Sequence, residues 1–251
     1  MMHLINQDYK YVCSGSALPK PRHETKSFSE KVKDKEIKMP PTRVALVTGG
    51  TKGVGYCLGK QLLKRIPSIV TFMSSRKSVE DYYPIIGMEE GAGARKRARF
   101  ITMDISDKLS VIKNREDILK SVRGLDILVN NAGIFQRPDL NNFPKQCKQI
   151  LATNYWGTKN VISAFRPHFN QNCRIVNITS HLAHVMSNPG TEEMKLKRET
   201  RDRLAGAGTA EELDVIVNKF LKDAERGCWR SEGWPSCGFS VSKMAINAFT
   251  R

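Results

Sequence analysis

Between Val47 and Tyr56 the chain reads Thr48-Gly49-Gly50-Thr51-Lys52-Gly53-Val54-Gly55. Glycines at this spacing allow a tight turn, let the backbone approach a diphosphate, and aim the free N–H groups of a helix N-terminus at that anion. The chemistry is anion binding, on condition that a strand leads in and a helix leads out; without them the run is an ordinary glycine-rich loop. Arg76, preceded by Ser75, stands 21 residues after Gly55, where NAD-binding folds keep a carboxylate for the ribose hydroxyls. Ser75, Arg76 and Lys52 present donors and positive charge instead, which suits a ribose 2′-phosphate and hence NADP(H). A surface arginine closing a strand is the plainer reading. His181 and His184 form an H-x-x-H pair with no third ligand, so no metal site is expected.

The elements that must position these residues are legible as a pattern. Val44 to Val47 reads as a buried strand, and the helix after the turn aligns Leu58, Leu62 and Ile66 on one face until Pro67 stops it. Ile69 to Met73 and Phe100 to Ile105 supply a second and a third strand. Leu109, Ile112, Leu119 and Val122 form the core stripe of the next helix, and Ile127 to Val129 a fourth strand. A long helical stretch then carries Ile150, Leu151, Val161, Ile162 and Phe165 before a fifth strand at Ile175 to Ile178. Apolar runs alternating with helical stretches predict an α/β fold, a doubly wound, Rossmann-type parallel sheet over residues 42–251 with right-handed crossovers. Residues 1–41 are polar, mixed in charge and aperiodic, so they read as a disordered extension, with Met39 a candidate alternative start.

After the fourth strand comes Asn130-Asn131-Ala132-Gly133, and with the Thr48 to Gly55 turn it resembles the paired motifs of the short-chain dehydrogenase/reductase family, carbonyl reductase (NADPH) subgroup. The resemblance runs from residue 43 to 251. It implies reduction of ketones, aldehydes or quinones by hydride transfer from NADPH. Gly49, Thr51, Lys52, Gly53, Val54 and Gly55 would then cradle the diphosphate, Ser75 and Arg76 would meet the 2′-phosphate, and Asp104 and Ile105 would flank the adenine. Asn131, Ala132 and Gly133 would support the sheet and line the cofactor. Asn154 resembles the asparagine that holds a water in the family's proton relay, Ser180 the serine that hydrogen-bonds the substrate carbonyl, and Lys243 the lysine that binds the nicotinamide ribose and lowers the tyrosine pKa. The family tyrosine belongs four residues before that lysine, at position 239, where this chain has phenylalanine. General acid catalysis is worth about 10²- to 10⁴-fold, so Phe239 implies impaired turnover. The alternative is a catalytically inactive NADP-binding or interaction protein.

Ser180 and Phe239 lie 59 residues apart, and Leu213 to Leu221 has helical spacing within that gap. Carbonyl reductases carry such a helical insertion, here about residues 181–232, over the surface that other family members use to form tetramers, which implies a monomer. The following Glu232-Gly233-Trp234-Pro235-Ser236 is similar to theirs. Trp229 and Trp234 are candidates for the wall of a substrate pocket, with core packing as the alternative. Against the family pattern the chain stops inside the helix that begins at Phe239, so the fold is expected to be C-terminally truncated after the fifth strand, with one sheet edge unpaired. The net charge of +16 favours acidic partners in general. The one dense basic run, Arg95, Lys96, Arg97 and Arg99, reads as a solvated turn, and no nucleic-acid motif accompanies it. Six cysteines without C-x-x-C spacing fit a reducing cytoplasm, and no apolar run reaches the roughly 18 residues of a membrane span.

Overall fold

A strand does lead into the glycine turn, and a helix leads out. The computed structural model describes residues 43–77, 79, 91–185 and 196–251; the expectations for residues 1–41 lie outside them. β1 (Arg43–Val47) enters the turn, α1 (Gly53–Arg65) leaves it, and β2 (Ile69–Ser75) returns alongside. There follow β3 (Ala98–Thr102), α2 (Lys108–Leu119) and β4 (Leu125–Asn130). One continuous helical stretch comes next: α3 (Phe143–Leu151), a π-helical turn over Ala152–Gly157, and α4 (Thr158–Phe165). β5 (Phe169–Asn177) precedes four helices, α5 (Leu182–Val185), α6 (Arg198–Gly206), α7 (Ala210–Glu225) and α8 (Gly238–Thr250).

The sheet is parallel throughout, in the order β3-β2-β1-β4-β5. Successive residues of a strand point to opposite faces, and both faces of the inner strands are covered. Val44 and Leu46 of β1 cluster with Val111, Ile118, Val161 and Phe165 from α2 and α4. Ala45 and Val47 cluster with Leu63 of α1, Met73 and Phe100. Each fully buried side chain of this kind stabilises the fold by about 1.5–3 kcal/mol. A separate apolar cluster joins α3, α7 and α8 through Phe143, Leu151, Leu213, Val217, Phe220 and Val241.

Four expectations change. The core stripe of α2 is Val111, Ile118 and, just beyond it, Val122, while Leu109 is 75% exposed and Ile112 and Leu119 only half-buried. Asp107 caps this helix, accepting from Leu109 N at 2.9 Å, so Leu109 falls in the first turn and points outward. In α1 the fully buried residue is Leu63, with Leu58, Leu62 and Ile66 packed at the margin. β3 begins two residues earlier than Phe100 and ends at Thr102, because it is registered against β2, whose own end at Ser75 pairs with Thr102. The basic run is only partly a solvated turn. The Arg97 guanidinium donates to the carbonyls of Leu63 at 2.8 Å, Ile66 at 3.2 Å and Ile69 at 3.2 Å, and Arg99 donates to those of Lys96 and Ala98.

Candidate active site

Along the sheet the chain order reverses between β1 and β4, with β2 and β3 to one side and β5 to the other. Parallel sheets open a ligand crevice at such a point, outside the carboxyl ends of the strands. Thr48, at the end of β1, ties the two strands together there. Its hydroxyl oxygen accepts from the backbone N–H groups of Asn131 and Ala132, both at 3.0 Å, while the Asn131 amide donates to the carbonyls of Thr48 at 2.9 Å and Gly49 at 3.1 Å.

The glycines are required by this contact. Gly49 has φ +63° and Gly53 φ +55°, a region that favours glycine. A Cβ on Gly49 would lie 2.9 Å from Ala132 Cα, and one on Gly55 would lie 2.4 Å from both Asn131 Nδ2 and the Gly49 carbonyl oxygen. A Cβ on Gly53 would meet nothing within 4 Å, so that side of its backbone is open to a ligand. α1 starts with no side-chain cap and no acidic residue in its first turn, which leaves its N–H groups and the positive end of its dipole facing the crevice. Thr51 is buried; Lys52 and Val54 are exposed.

At the end of β2, Ser75 is half-buried, its Oγ accepting from Lys77 N at 3.2 Å, and Arg76 is exposed. Asp104 holds the turn after β3, accepting from Ser106 N at 2.9 Å and Ser106 Oγ at 2.6 Å. Ile105 is buried beneath the π-helical turn, where a Cβ on Gly157 would come within 2.8 Å of its side chain. Only its backbone is left for a ligand, and the Asn160 amide already donates to its carbonyl at 3.2 Å.

Three of the remaining candidates, Asn154, Phe239 and Lys243, converge on the start of α8. Asn154 sits in the π-helical turn, a distortion that recurs at functional sites. Its Oδ1 accepts from Ile134 N at 2.8 Å, and its Nδ2 donates to Ile134 O and to Ser242 Oγ, both at 3.0 Å. Ser242 in turn donates to the Phe239 carbonyl at 2.7 Å. Lys243 is buried, and its ammonium donates to the Ile178 carbonyl at 2.7 Å. Burial holds its pKa below the usual lysine range. A Cβ on Gly133 would lie 3.2 Å from Asn154 Oδ1 and 3.7 Å from Lys243 Nζ, so the segment after β4 borders both. Phe239 is half-buried, its ring meeting the exposed Phe135 edge-on at 5.1 Å, with Lys243 Nζ 5.7 Å from the ring centre. Ser180 Oγ accepts from Leu182 N at 3.3 Å, so it also caps α5.

Phe135, Ser242 and the Ile178 carbonyl complete the site without having been assigned a role from the sequence, and Thr48, which opens the glycine turn there, gains its role as the tie to Asn131 and Ala132. Nothing in the types or spacing of the first three marks them. Trp229 and Trp234 pack in the helical core. Trp234 donates to Asp223 at 2.8 Å, and Trp229 donates to Ser236 at 3.1 Å while lying against Phe143. The His184 side chain lies outside the described residues.

Comparison with known proteins matches the same chemistry. Residues 43–191 match the family model "short chain dehydrogenase". Carbonyl reductase [NADPH] 1 of Bos taurus is 31% identical over 210 residues, covering 83% of this chain and 72% of that protein. Among solved structures, menthone neomenthol reductase from Mentha piperita superposes with a TM-score of 0.71 at 27% identity, covering 83% of this chain and 84% of that one. A short-chain dehydrogenase from Burkholderia cenocepacia, in complex with NADP, is 31% identical with a TM-score of 0.51, covering 57% of each chain. With its glycine turn, its β1–β4 crevice and these likenesses, the chain belongs to the short-chain dehydrogenase/reductase family of oxidoreductases and is carbonyl-reductase-like within it.

Proposed function

We propose that this chain binds NADP(H) and reduces carbonyl compounds, with a proton-transfer step weakened by Phe239. The observation that carries the reading is the cradle between β1 and β4, where Gly49 and Gly53 hold left-handed φ beside an uncapped, acid-free helix N-terminus. The carbonyl reductase relatives and the NADP complex support the choice of dinucleotide. Lys52 and Arg76 supply the charge a 2′-phosphate needs. When bound, the reduced nicotinamide supplies a hydride to the carbonyl carbon. The chain's residues do the rest: amides around Gly53 bind the diphosphate, Ser180 Oγ donates to the carbonyl oxygen, and Lys243 holds ribose hydroxyls and places positive charge near the developing oxyanion. Asn154, through Ser242, fixes the backbone that carries Phe239.

We further infer a cytoplasmic monomer. α7 packs on α3 and α8, where the resemblance to carbonyl reductases places an insertion over the tetramer-forming surface, and light scattering with the purified protein tests this. No described helix is long and apolar enough to cross a membrane.

Fluorescence titration with NADPH and NADH tests the main reading. Arg76→Glu should weaken NADPH at least tenfold and leave NADH nearly unchanged, as expected for loss of a charge-assisted phosphate contact. Phe239→Tyr should raise NADPH-dependent reduction of 4-nitrobenzaldehyde by about 10²- to 10⁴-fold. A folded protein indifferent to millimolar NADPH would sink the proposal. Cofactor binding with a tyrosine variant that stays inert would favour the second reading, a binding protein without turnover, which the phenylalanine itself motivates.

A further inference from the structure

Asn154 makes three hydrogen bonds with one side chain, to Ile134 N, Ile134 O and Ser242 Oγ, so its position and the direction of its amide are both fixed between the segment after β4 and the start of α8. It does so from the π-helical turn Ala152–Gly157, set between α3 and α4. A π-turn closes i→i+5 hydrogen bonds where an α-helix closes i→i+4, so it holds one residue more. If the turn relaxed to α-helix, the residues on one side of it would move by one position, which is about 100° around the helix axis and about 1.5 Å along it. Asn154 would then face neither Ile134 nor Ser242. The site therefore depends on whatever keeps this turn wound as it is.

Two contacts are local to the turn. The Thr158 hydroxyl donates to the Asn154 carbonyl at 2.9 Å, and Gly157 lies so close to Ile105 that a Cβ there would come within 2.8 Å of its side chain. A third comes from a different part of the chain, the helix α7. Tyr155, fully buried within the turn, donates from its hydroxyl to Asp214 Oδ1 at 2.6 Å. Lys159, four residues on and already in α4, pairs with the same oxygen, and its ammonium lies over the rings of Tyr155, Trp156 and Phe249. One carboxylate of α7 thus grips the helical stretch at two points, one inside the distortion and one just beyond it. Phe249 belongs to the last turn of α8, so the cluster also touches the far end of the helix whose start meets Asn154.

Resting on the reductase reading above, we infer that Asp214 is a positioning residue for the active site: by holding Tyr155 and Lys159 together it keeps the π-turn wound, and the wound turn keeps Asn154 on Ile134 and Ser242 and so fixes the start of α8 that carries Phe239 and Lys243. The control passes through a backbone register with two discrete settings, α and π, and Asp214 biases it toward the second. α7 is in this way a support of turnover as well as a cover for α3 and α8.

Amide hydrogen exchange of the free protein, read by NMR, tests the inference without relying on turnover. The reporter is the Ile134 N–H, which donates to Asn154 Oδ1 at 2.8 Å, and the controls are the paired amides of β1 and β2. Asp214→Ala should speed exchange at Ile134 by about tenfold or more relative to those controls, the mark of a local opening. Tyr155→Phe removes one tie without stranding a hydroxyl, so it folds even where Asp214→Ala does not, and should act in the same direction by a smaller factor. Asp214→Asn keeps an oxygen for Tyr155 and should stay within about threefold of the unaltered chain. In NADPH oxidation with 4-nitrobenzaldehyde, Asp214→Ala should lower kcat by about tenfold to 10²-fold, the size of a small misplacement, and leave the Kd for NADPH nearly unchanged. Asp214→Asn should restore most of kcat. Added to Asn154→Ala, the same Asp214→Ala change should cost little more, because residues that act through one another are not additive. Unchanged exchange at Ile134, an equal loss of protection throughout β1 and β2, or full additivity with Asn154→Ala would overturn the inference and leave Asp214 a stabilising contact only. Faster exchange at Ile134 in a chain that does not bind NADPH would overturn the reductase reading and leave the hold on the π-turn standing.

Discussion

Lys243 carries a charge into a place with little water, and its pH dependence follows from that. Burial lowers its folded-state pKa below 10.5, so between that lowered value and 10.5 the unfolded chain binds more protons than the folded one. Stability contributed by this group therefore rises with pH across that window, and the full burial penalty is felt below it. Lys243→Met should raise Tm at pH 7 and flatten the rise of stability with pH, as followed by thermal melts from pH 7 to 10, while abolishing turnover. Among the glycines, two substitutions in the same turn should separate by cause. Gly53→Ala meets open space and costs only the left-handed backbone, about 1–2 kcal/mol. Gly49→Ala adds a backbone collision with Ala132 and should cost more, about 2–4 kcal/mol in urea unfolding.

The π-helical turn that holds Asn154 is anchored from outside by α7. Tyr155 is fully buried and its hydroxyl donates to Asp214 Oδ1 at 2.6 Å; the same carboxylate pairs with Lys159, whose ammonium lies over the rings of Tyr155, Trp156 and Phe249 at 5.2–5.6 Å. Burial, with the Asp214 carboxylate beside it, pushes the Tyr155 phenol well above its ordinary pKa. Asp214→Ala strands a buried hydroxyl and should cost about 1–3 kcal/mol, whereas Asp214→Asn keeps an acceptor and should cost clearly less, as chemical denaturation would report. The strands of this fold were legible because buried parallel strands are short apolar runs, and the glycine turn and Asn130 to Gly133 were legible because backbone geometry dictates their residue types. The phase of α2 was not. Leu109, Val111, Ile112, Ile118, Leu119 and Val122 offer two neighbouring stripes of similar quality, and the choice between them is made by the Asp107 cap and by Asn114, whose amide donates to the Thr102 and Ser110 carbonyls. The fifth strand was expected from Ile175, the start of its first apolar pair; it begins at Phe169, which pairs with Leu125, and the polar Asn170-Gln171-Asn172 with Cys173 fall in the register irregularity before Arg174 pairs with Ile127.

Across the whole molecule the uneven feature is β5, which pairs with β4 alone among the described strands. Ile175 and Val176 are consecutive and so point to opposite faces, yet they are 40% and 44% exposed. Among the described residues both faces of this strand are thus open, as is its edge, and such edges invite pairing with another chain. The net charge of +16 opposes that approach until salt screens it. Self-association measured by light scattering should grow between low and high salt, and Ile175→Lys should suppress it while changing stability by no more than about 0.5 kcal/mol. At the other end of the sheet, the guanidinium of Arg97 satisfies the Leu63 and Ile66 carbonyls at the end of α1 and the first carbonyl of β2. A helix of 13 residues is about 20 Å long, so this arginine sits that far from the amides at Gly53. It earths the negative pole of the helix inside the protein, and no dissolved cation or mobile side chain is needed there. The two ends of α1 are therefore uncoupled: Arg97→Met should lower Tm by stranding these carbonyls while leaving dinucleotide binding at Gly53 nearly unchanged, because the field of a helix end fades within a turn.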